Sequence, residues 1–362
     1  MADIGNNAFD HEVPEPVSDV SRETPSRVDE ETADGDVSRE TNAADTRHSQ
    51  RGESLTDTPL MRQMMQESQR RAALDRKTLP KPASTRVLTV ANQKGGVGKT
   101  TTTVNTAAAL AMAGLKVLVI DLDPQGNAST ALGIAHHSDV TSIYDVLVDG
   151  TTLADIVQPC PDVDGLFCAP ATIDLAGSEI ELVSLVARET RLRRAITAYL
   201  ESQDDPVDYV FIDCPPSLGL LTVNAFVAAD EVFIPIQCEY YALEGLSQLL
   251  KNIELIRTHL NPDLHVSTIL LTMYDARTRL SAQVAEEVRA HFAKETLTAT
   301  VPRSVRVSEA PSHGQTVITY DPMSTGALAY REAAAEIADR GAPMEPEHVN
   351  NAATSGQGEQ DA

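Results

Sequence analysis

The sequence predicts an α/β protein: a mostly parallel sheet with helices on both faces, preceded by a disordered acidic tail. Three observations carry that prediction. Short, continuous apolar runs alternate with helical patterns from Arg86 onward, as expected for strands buried on both faces. A glycine-rich turn separates the first run from the first helix. The composition also changes sharply near residue 57. Residues 1–60 hold fifteen acids against five arginines and few large apolar side chains, too little to offset the entropy of ordering.

Residues 1–57 therefore read as a tail and 58–80 as a short basic amphipathic helix with its linker. One domain is expected over 84–340, with a second polar tail over 341–362. In the helix, Thr58 suits the cap and Pro59 the first turn. Leu60, Met61, Met64 and Met65 share one face, with Arg62, Arg70, Arg71, Arg76 and Lys77 elsewhere. Loose packing on the main domain and docking to a partner or DNA both fit that pattern. RVLTVAN then reads as a buried strand and TTTVNTAAALAMAG as an alanine-rich helix stopped by Gly114. KVLVIDLD, LFCAPA, YVFIDCP, EVFIPIQ and VSTILLTM read as further strands. A long helix over YALEGLSQLLKNIELIRTHL separates the last two.

The net charge of −24 over 362 residues excludes a uniformly basic nucleic-acid binder, so any DNA contact must be local. Cys160, Cys168, Cys214 and Cys238 form no CxxC pair, and no apolar run approaches the length of a bilayer span. Small buried thiols in a reducing cytoplasm are expected.

The chemistry concentrates in ANQKGGVGKTTTT. Strand, glycine turn, Gly98-Lys99-Thr100 and helix are the context of a phosphate-binding loop, or P-loop. Gly95, Gly96, Val97 and Gly98 can turn backbone N–H groups toward a polyphosphate at a helix N-terminus. Lys99 would reach the β- and γ-phosphates, the Thr100 hydroxyl would ligate Mg²⁺, and Thr101 would bond the α-phosphate. Two aspartate clusters lie at other strand ends. DLDPQGN holds Asp121 and Asp123; FIDCPPSLG holds Asp213 after a run of apolar residues. Phosphoryl transfer needs a carboxylate near Mg²⁺ and a group that orients water. Asp213 suits the first role through a metal-bound water, Asp123 the second, and Asp121 suits the magnesium shell or its loop.

KGGVGKTT departs from the common GxxxxGK[ST] pattern, because Gln93 stands where glycine is usual and Lys94 follows it. It resembles the deviant Walker A signature of the ParA/MinD group of P-loop ATPases. NQKGGVGKTTTTVN, DLDPQGNAST, CEYYALEGL, YDARTRLSAQV and VPRSVRVSEAPSHG are similar to the chromosomal ParA (Soj-like) branch, a resemblance covering residues 86–338. It implies that Lys94 crosses to the nucleotide of a second subunit, so that two protomers sandwich two ATPs. Lys94, Lys99 and Asp123 become the catalytic set, Pro302 and Ser304 the base pocket, and Arg277 and Arg306 the DNA contacts, flanked by Arg279 and Arg303. ATP and Mg²⁺ are the implied cofactors. The implied partners are nonspecific double-stranded DNA, a ParB-type centromere-binding protein and an ATP-dependent second copy. A polar or division protein is a further possible partner. Such a protein would be cytoplasmic and nucleoid-associated. A nucleotide-gated positioning scaffold is the alternative. The acidic, polar composition of residues 341–362 differs from the basic amphipathic helix expected of a membrane-bound relative.

DVSRET occurs twice, at 19–24 and 36–41. VSRET, preceded by a GAT codon, can be written TGTTTCACGTGAAACA, its own reverse complement and similar to a ParB target site. The repeats are thus expected to preserve DNA sequence or to form a short binding motif.

Overall fold

The computed structural model describes residues 58–343; the DVSRET repeats and both tails beyond these limits lie outside the described residues. Eight strands form one sheet: β1 (Arg86–Val90), β2 (Val117–Asp121), β3 (Gln158–Pro159), β4 (Leu166–Ala169), β5 (Tyr209–Asp213), β6 (Glu231–Gln237), β7 (His265–Tyr274) and β8 (Thr296–Pro302). Their order is β3-β4-β2-β5-β1-β6-β7-β8, and every pairing is parallel except β3 with β4. The six strands read from the sequence are all present. The sequence reading missed β3, two residues long, and β8, a threonine-rich strand at the opposite edge.

The helices are α1 (Pro59–Asp75), α2 (Lys99–Met112), α3 (Asn127–Ala131), α4 (Ile143–Leu147), α5 (Leu153–Ile156), α6 (Leu175–Val183) and α7 (Arg191–Glu201). They continue as α8 (Leu220–Ala228), α9 (Ala242–His259), α10 (Arg279–His291), α11 (Val305–Glu309), α12 (Val317–Tyr320) and α13 (Thr325–Arg340). None of these is long and apolar enough to cross a membrane.

Successive strand residues point to opposite faces, and both faces are dry. Leu118, Ile120, Val210, Ile212, Val232 and Ile234 belong to one core. Leu88, Val90, Val119, Phe211, Phe233 and the alanines of α2 and α13 belong to the other. Alanine at 107, 108, 333 and 334 lets those two helices pack closely in the same layer. All four cysteines are buried and unbonded.

Helix α1 starts as its sequence dictates: the Met61 amide donates to Oγ1 of Thr58, and proline occupies the first turn. It ends at Asp75, and the linker to β1 follows. Its packing inverts the simple amphipathic picture. Arg71 is buried and donates to the carbonyls of Pro322, Met323 and Ser324 at 2.8, 2.6 and 3.1 Å. Arg70 pairs with Glu332, Asp75 with Arg331 and Lys77 with Asp339, all on α13. Leu60, Met61, Met64 and Met65 instead remain exposed. The basic side chains win the interface because α13 and the turn before it offer carboxylates and unpaired carbonyls, which methionine cannot satisfy.

Candidate functional site

Ligands of open α/β sheets bind beyond the carboxyl ends of the strands, and strand order decides which ends are neighbours. Here β5 lies between β2 and β1, with Asp121 in register with Asp213 and Asp213 with Val90. The loop after β1 and two aspartates more than 90 residues apart in sequence thus meet at one edge.

The loop turns through Gly96 and Gly98 at φ +74° and +90°, a left-handed backbone that side chains disfavour. A Cβ placed on Gly95, Gly96 or Gly98 would meet nothing within 4 Å, so the loop borders open space. Gly98 caps α2 without a side chain, leaving the first amides of that helix available to an anion. The loop is anchored where Thr272 at the end of β7 donates to the Val97 carbonyl, at 2.9 Å. Asn92 holds its start, donating to the Pro235 carbonyl and accepting from the Lys94 amide.

The cavity against this loop, of about 390 Å³, is lined by Gly95, Gly96, Gly98, Lys99, Thr100 and Thr101. Asp123, Asn127 and Thr130 form its opposite wall, and Met273, Pro216 and Pro311 its apolar side. Pro302 and Ser304 do not enter it. Pro302 pairs in register with Tyr274, while Ser304 packs against Gly326 and begins α11.

Charge in the site is held under tension. Asp213 is fully buried and accepts from Oγ1 of Thr100 at 2.7 Å and of Thr103 at 2.9 Å. Burial, then the nearby Asp121 charge, push its carboxyl up to about 8. Asp121 is also buried and raised, chiefly by desolvation. Its oxygens are occupied by the loop: Oδ1 by the Asp123 amide, Oδ2 by the amide and hydroxyl of Ser129. Burial lowers the pKa of Lys99, and the nearby Asp213 charge opposes that shift. Two raised carboxyls and a depressed lysine describe a pocket whose burial disfavours charge of either sign. Among the described residues no group of three or more His, Cys, Asp or Glu could hold a metal unaided. Asp213 and Thr100 suit a Mg²⁺ that brings phosphate oxygens with it.

Lys94 does not line the cavity. Its ammonium pairs at 2.5 Å with Glu239, just after β6, whose other oxygen accepts from Gln237. Sequence reasoning missed Glu239 and Thr103. The clue for Thr103 lay in TTTT, since it follows Lys99 by one helical turn; nothing local pointed to Glu239.

The four arginines assigned to DNA fall around the β7–β8 corner. Arg277 forms a two-pronged pair with Asp275, which it draws down to about 2, and Arg303 adds to that field. Arg279 opens α10. Arg306 pairs with Glu309 and Asp321 at 3.1 and 3.4 Å.

Comparison with known proteins agrees with this geometry. A family model described as an AAA domain matches residues 85–266. The chain is 53% identical over 256 residues to the sporulation initiation inhibitor protein Soj of Bacillus subtilis, covering 71% of this chain and 99% of that one. It is 52% identical over 255 residues to the chromosome partitioning protein ParA of Caulobacter vibrioides, covering 70% and 94%. Among solved structures, cobyrinic acid a,c-diamide synthase from Mycobacterium smegmatis with ADP and magnesium superposes with a TM-score of 0.59 at 38% identity, covering 71% and 93%. The septum site-determining protein MinD from Pyrococcus horikoshii, complexed with Mg-ADP, gives 0.57 at 26%, covering 70% and 96%.

Proposed function

The chain belongs to the ParA/Soj group of P-loop ATPases, and from that premise we propose how its residues divide the work of an ATP-driven DNA partition switch. It is an ATP-hydrolysing, dimer-forming partition or positioning ATPase that uses ATP and Mg²⁺. The 52% identity to a chromosome partitioning protein, against 38% to the synthase, favours partition over amide-forming chemistry.

In this reading the amides of 95–98 and the start of α2 hold the phosphates, with Lys99 supplying the charge they meet. The Thr100 hydroxyl and the Asp213 carboxylate would hold Mg²⁺ beside the phosphates. When bound, Mg²⁺ neutralises phosphate charge. Asp123 orients the attacking water, and Asp121 keeps the Asp123 loop in place through its three hydrogen bonds. Lys94 leaves Glu239 and reaches the nucleotide of the second subunit. The single observation that carries this division is that Lys94 lies outside its own cavity while Lys99 lines it.

The assembled dimer presents two copies of Arg277, Arg279, Arg303 and Arg306 to DNA phosphates. Because Arg277 and Arg306 must leave carboxylates to do so, binding is weak and falls steeply with salt. A ParB-type partner accelerates hydrolysis and releases the DNA, so the protein works in the cytoplasm on the nucleoid. Retention of nonspecific duplex DNA without nucleotide, with ADP and with ATP tests this. Retention is expected with ATP alone, and Asp123→Ala is expected to prolong it. Equal retention in all three states refutes the switch.

A further inference from the structure

A second cavity, of about 590 Å³ and larger than the one at the phosphate loop, lies beyond the carboxyl end of β4. One wall is the segment Ser138–Asp145; the other runs from Thr172 to Glu181 in the last turn of α6. Its charge has one sign. Asp139, Asp145, Asp174 and Glu181 line it, with no lysine or arginine among the lining residues. None of these four takes part in an ion pair among the described residues. Neutral donors serve three of them: the Ser142 amide reaches Asp145 at 2.7 Å, the Tyr144 hydroxyl Glu181 at 3.0 Å and the Thr172 hydroxyl Asp174 at 3.4 Å.

Helix α6 carries more apolar surface than the core uses. Leu175 and Leu182 face inward and are fully buried. Ile180 and Val183 follow one another by a helical turn on another face, and Ile173 stands in the turn just before the helix. Ile173 is 59% exposed, Ile180 80% and Val183 59%. Exposed apolar side chains beside four carboxylates that have no cationic partner are a surface with a complement. We propose that it docks a basic amphipathic helical segment of a partner protein, with apolar side chains on Ile173, Ile180 and Val183 and cations against Asp174 and Glu181. A second copy does not fit, since self-pairing would bring eight carboxylates together. DNA is repelled for the same reason.

The surface is wired to the site. Directly beneath the cavity, the Ala171 amide donates to the Ser129 hydroxyl at 3.2 Å, which donates to Asp121 at 2.7 Å. Asp121 in turn accepts from the Asp123 amide. A segment that shifts 171–174 therefore moves the loop carrying Asp123; this coupling rests on the role assigned to Asp123 above.

The test uses the full chain and a labelled helical peptide of about 18 residues, with leucine at i, i+3, i+4 and i+7 and lysine elsewhere. Two further peptides replace lysine by glutamate, or leucine by serine. Anisotropy should show binding of the leucine/lysine peptide alone. Ile180→Asp should weaken it about tenfold, and Asp174→Asn with Glu181→Gln should weaken it and flatten its salt dependence. Ile180→Ala, with an unchanged melting curve, guards against a folding defect. Equal affinity for wild type and Ile180→Asp, or for the serine/lysine peptide, overturns the docking surface in favour of plain attraction to an acidic protein. A change in sedimentation on Ile180→Asp in ATP overturns it in favour of a second copy. Mapped binding without faster phosphate release overturns the coupling to Asp123 alone. DNA retention, measured in parallel, reports on the partition switch separately: its loss in wild type refutes that reading and leaves the peptide result standing.

Discussion

Replacing Asp213 by asparagine should stabilise the nucleotide-free protein while crippling its response to Mg²⁺ and ATP. Asp213 is fully buried, beside the equally buried Asp121, and its carboxyl is raised from 3.8 to about 8. Each unit of such a shift corresponds to about 1.4 kcal/mol, which sets a ceiling on the order of 5 kcal/mol for the penalty of ionising it. Asparagine keeps the shape, and the hydroxyls of Thr100 and Thr103 can reorient to its amide. It forfeits the stronger bonds that a carboxylate accepts, so the net gain should be about 2 kcal/mol. For a domain of this size that is roughly a 4–8 °C rise in melting temperature. The pH dependence fixes the cause. Below about pH 3, aspartate is protonated folded and unfolded, and the two proteins should melt together. As pH rises toward about 8 the unfolded chain ionises and the folded one resists, so the wild type loses stability and asparagine does not. The advantage should be complete above about pH 8. Saturating Mg²⁺ and ATP should reverse the ranking, since the cation relieves the penalty only where a carboxylate exists. Melting curves across this range, with and without nucleotide, make the comparison. A variant less stable than wild type at alkaline pH, or a difference that ignores pH, would refute the uncompensated carboxylate.

Three further outcomes follow from the same geometry. Mg²⁺-dependent ATP binding should tighten between about pH 6 and pH 8 and release protons, detectable by calorimetry in buffers of different ionisation enthalpy, because Asp213 must ionise to face the cation. Lys94→Ala should keep nucleotide binding within about threefold, since Lys94 lies outside the cavity, yet lose ATP-dependent dimers in sedimentation. Arg71→Ala should cost about 2–3 kcal/mol in thermal unfolding by leaving the Pro322 and Met323 carbonyls unmatched, with DNA retention unchanged.

What the sequence made legible divides by distance along the chain. Strands buried on both faces announce themselves as unbroken apolar runs, and all six such runs are strands. β8 escaped notice because TLTATVP spaces its few large apolar residues with threonine and alanine, as an edge strand allows; β3 is two residues with a proline. Periodicity exposed the two-sided character of α1 but not which side docks. That depends on Glu332, Asp339 and the carbonyls of 322–324, some 250 residues away. At the site, the glycine turn, Lys99 and Thr100 are one local motif, and Asp213 stood out as a charge ending an apolar strand. Glu239 lies 145 residues from Lys94, and only the sheet order brings β6 beside β1.

The empty ground beside Gly95 has a consequence for anyone altering this protein. A methyl group there meets no atom of the chain, and the backbone asks for no left-handed turn. A heat or protease screen run without nucleotide would therefore pass Gly95→Ala as harmless, although on the role proposed for this loop the methyl group would crowd the cavity that receives the phosphates. The rule against it is enforced by the guest, not by the house. A library sorted for robustness alone would drift at this position, losing its function while every measure of its fold improved or stayed level.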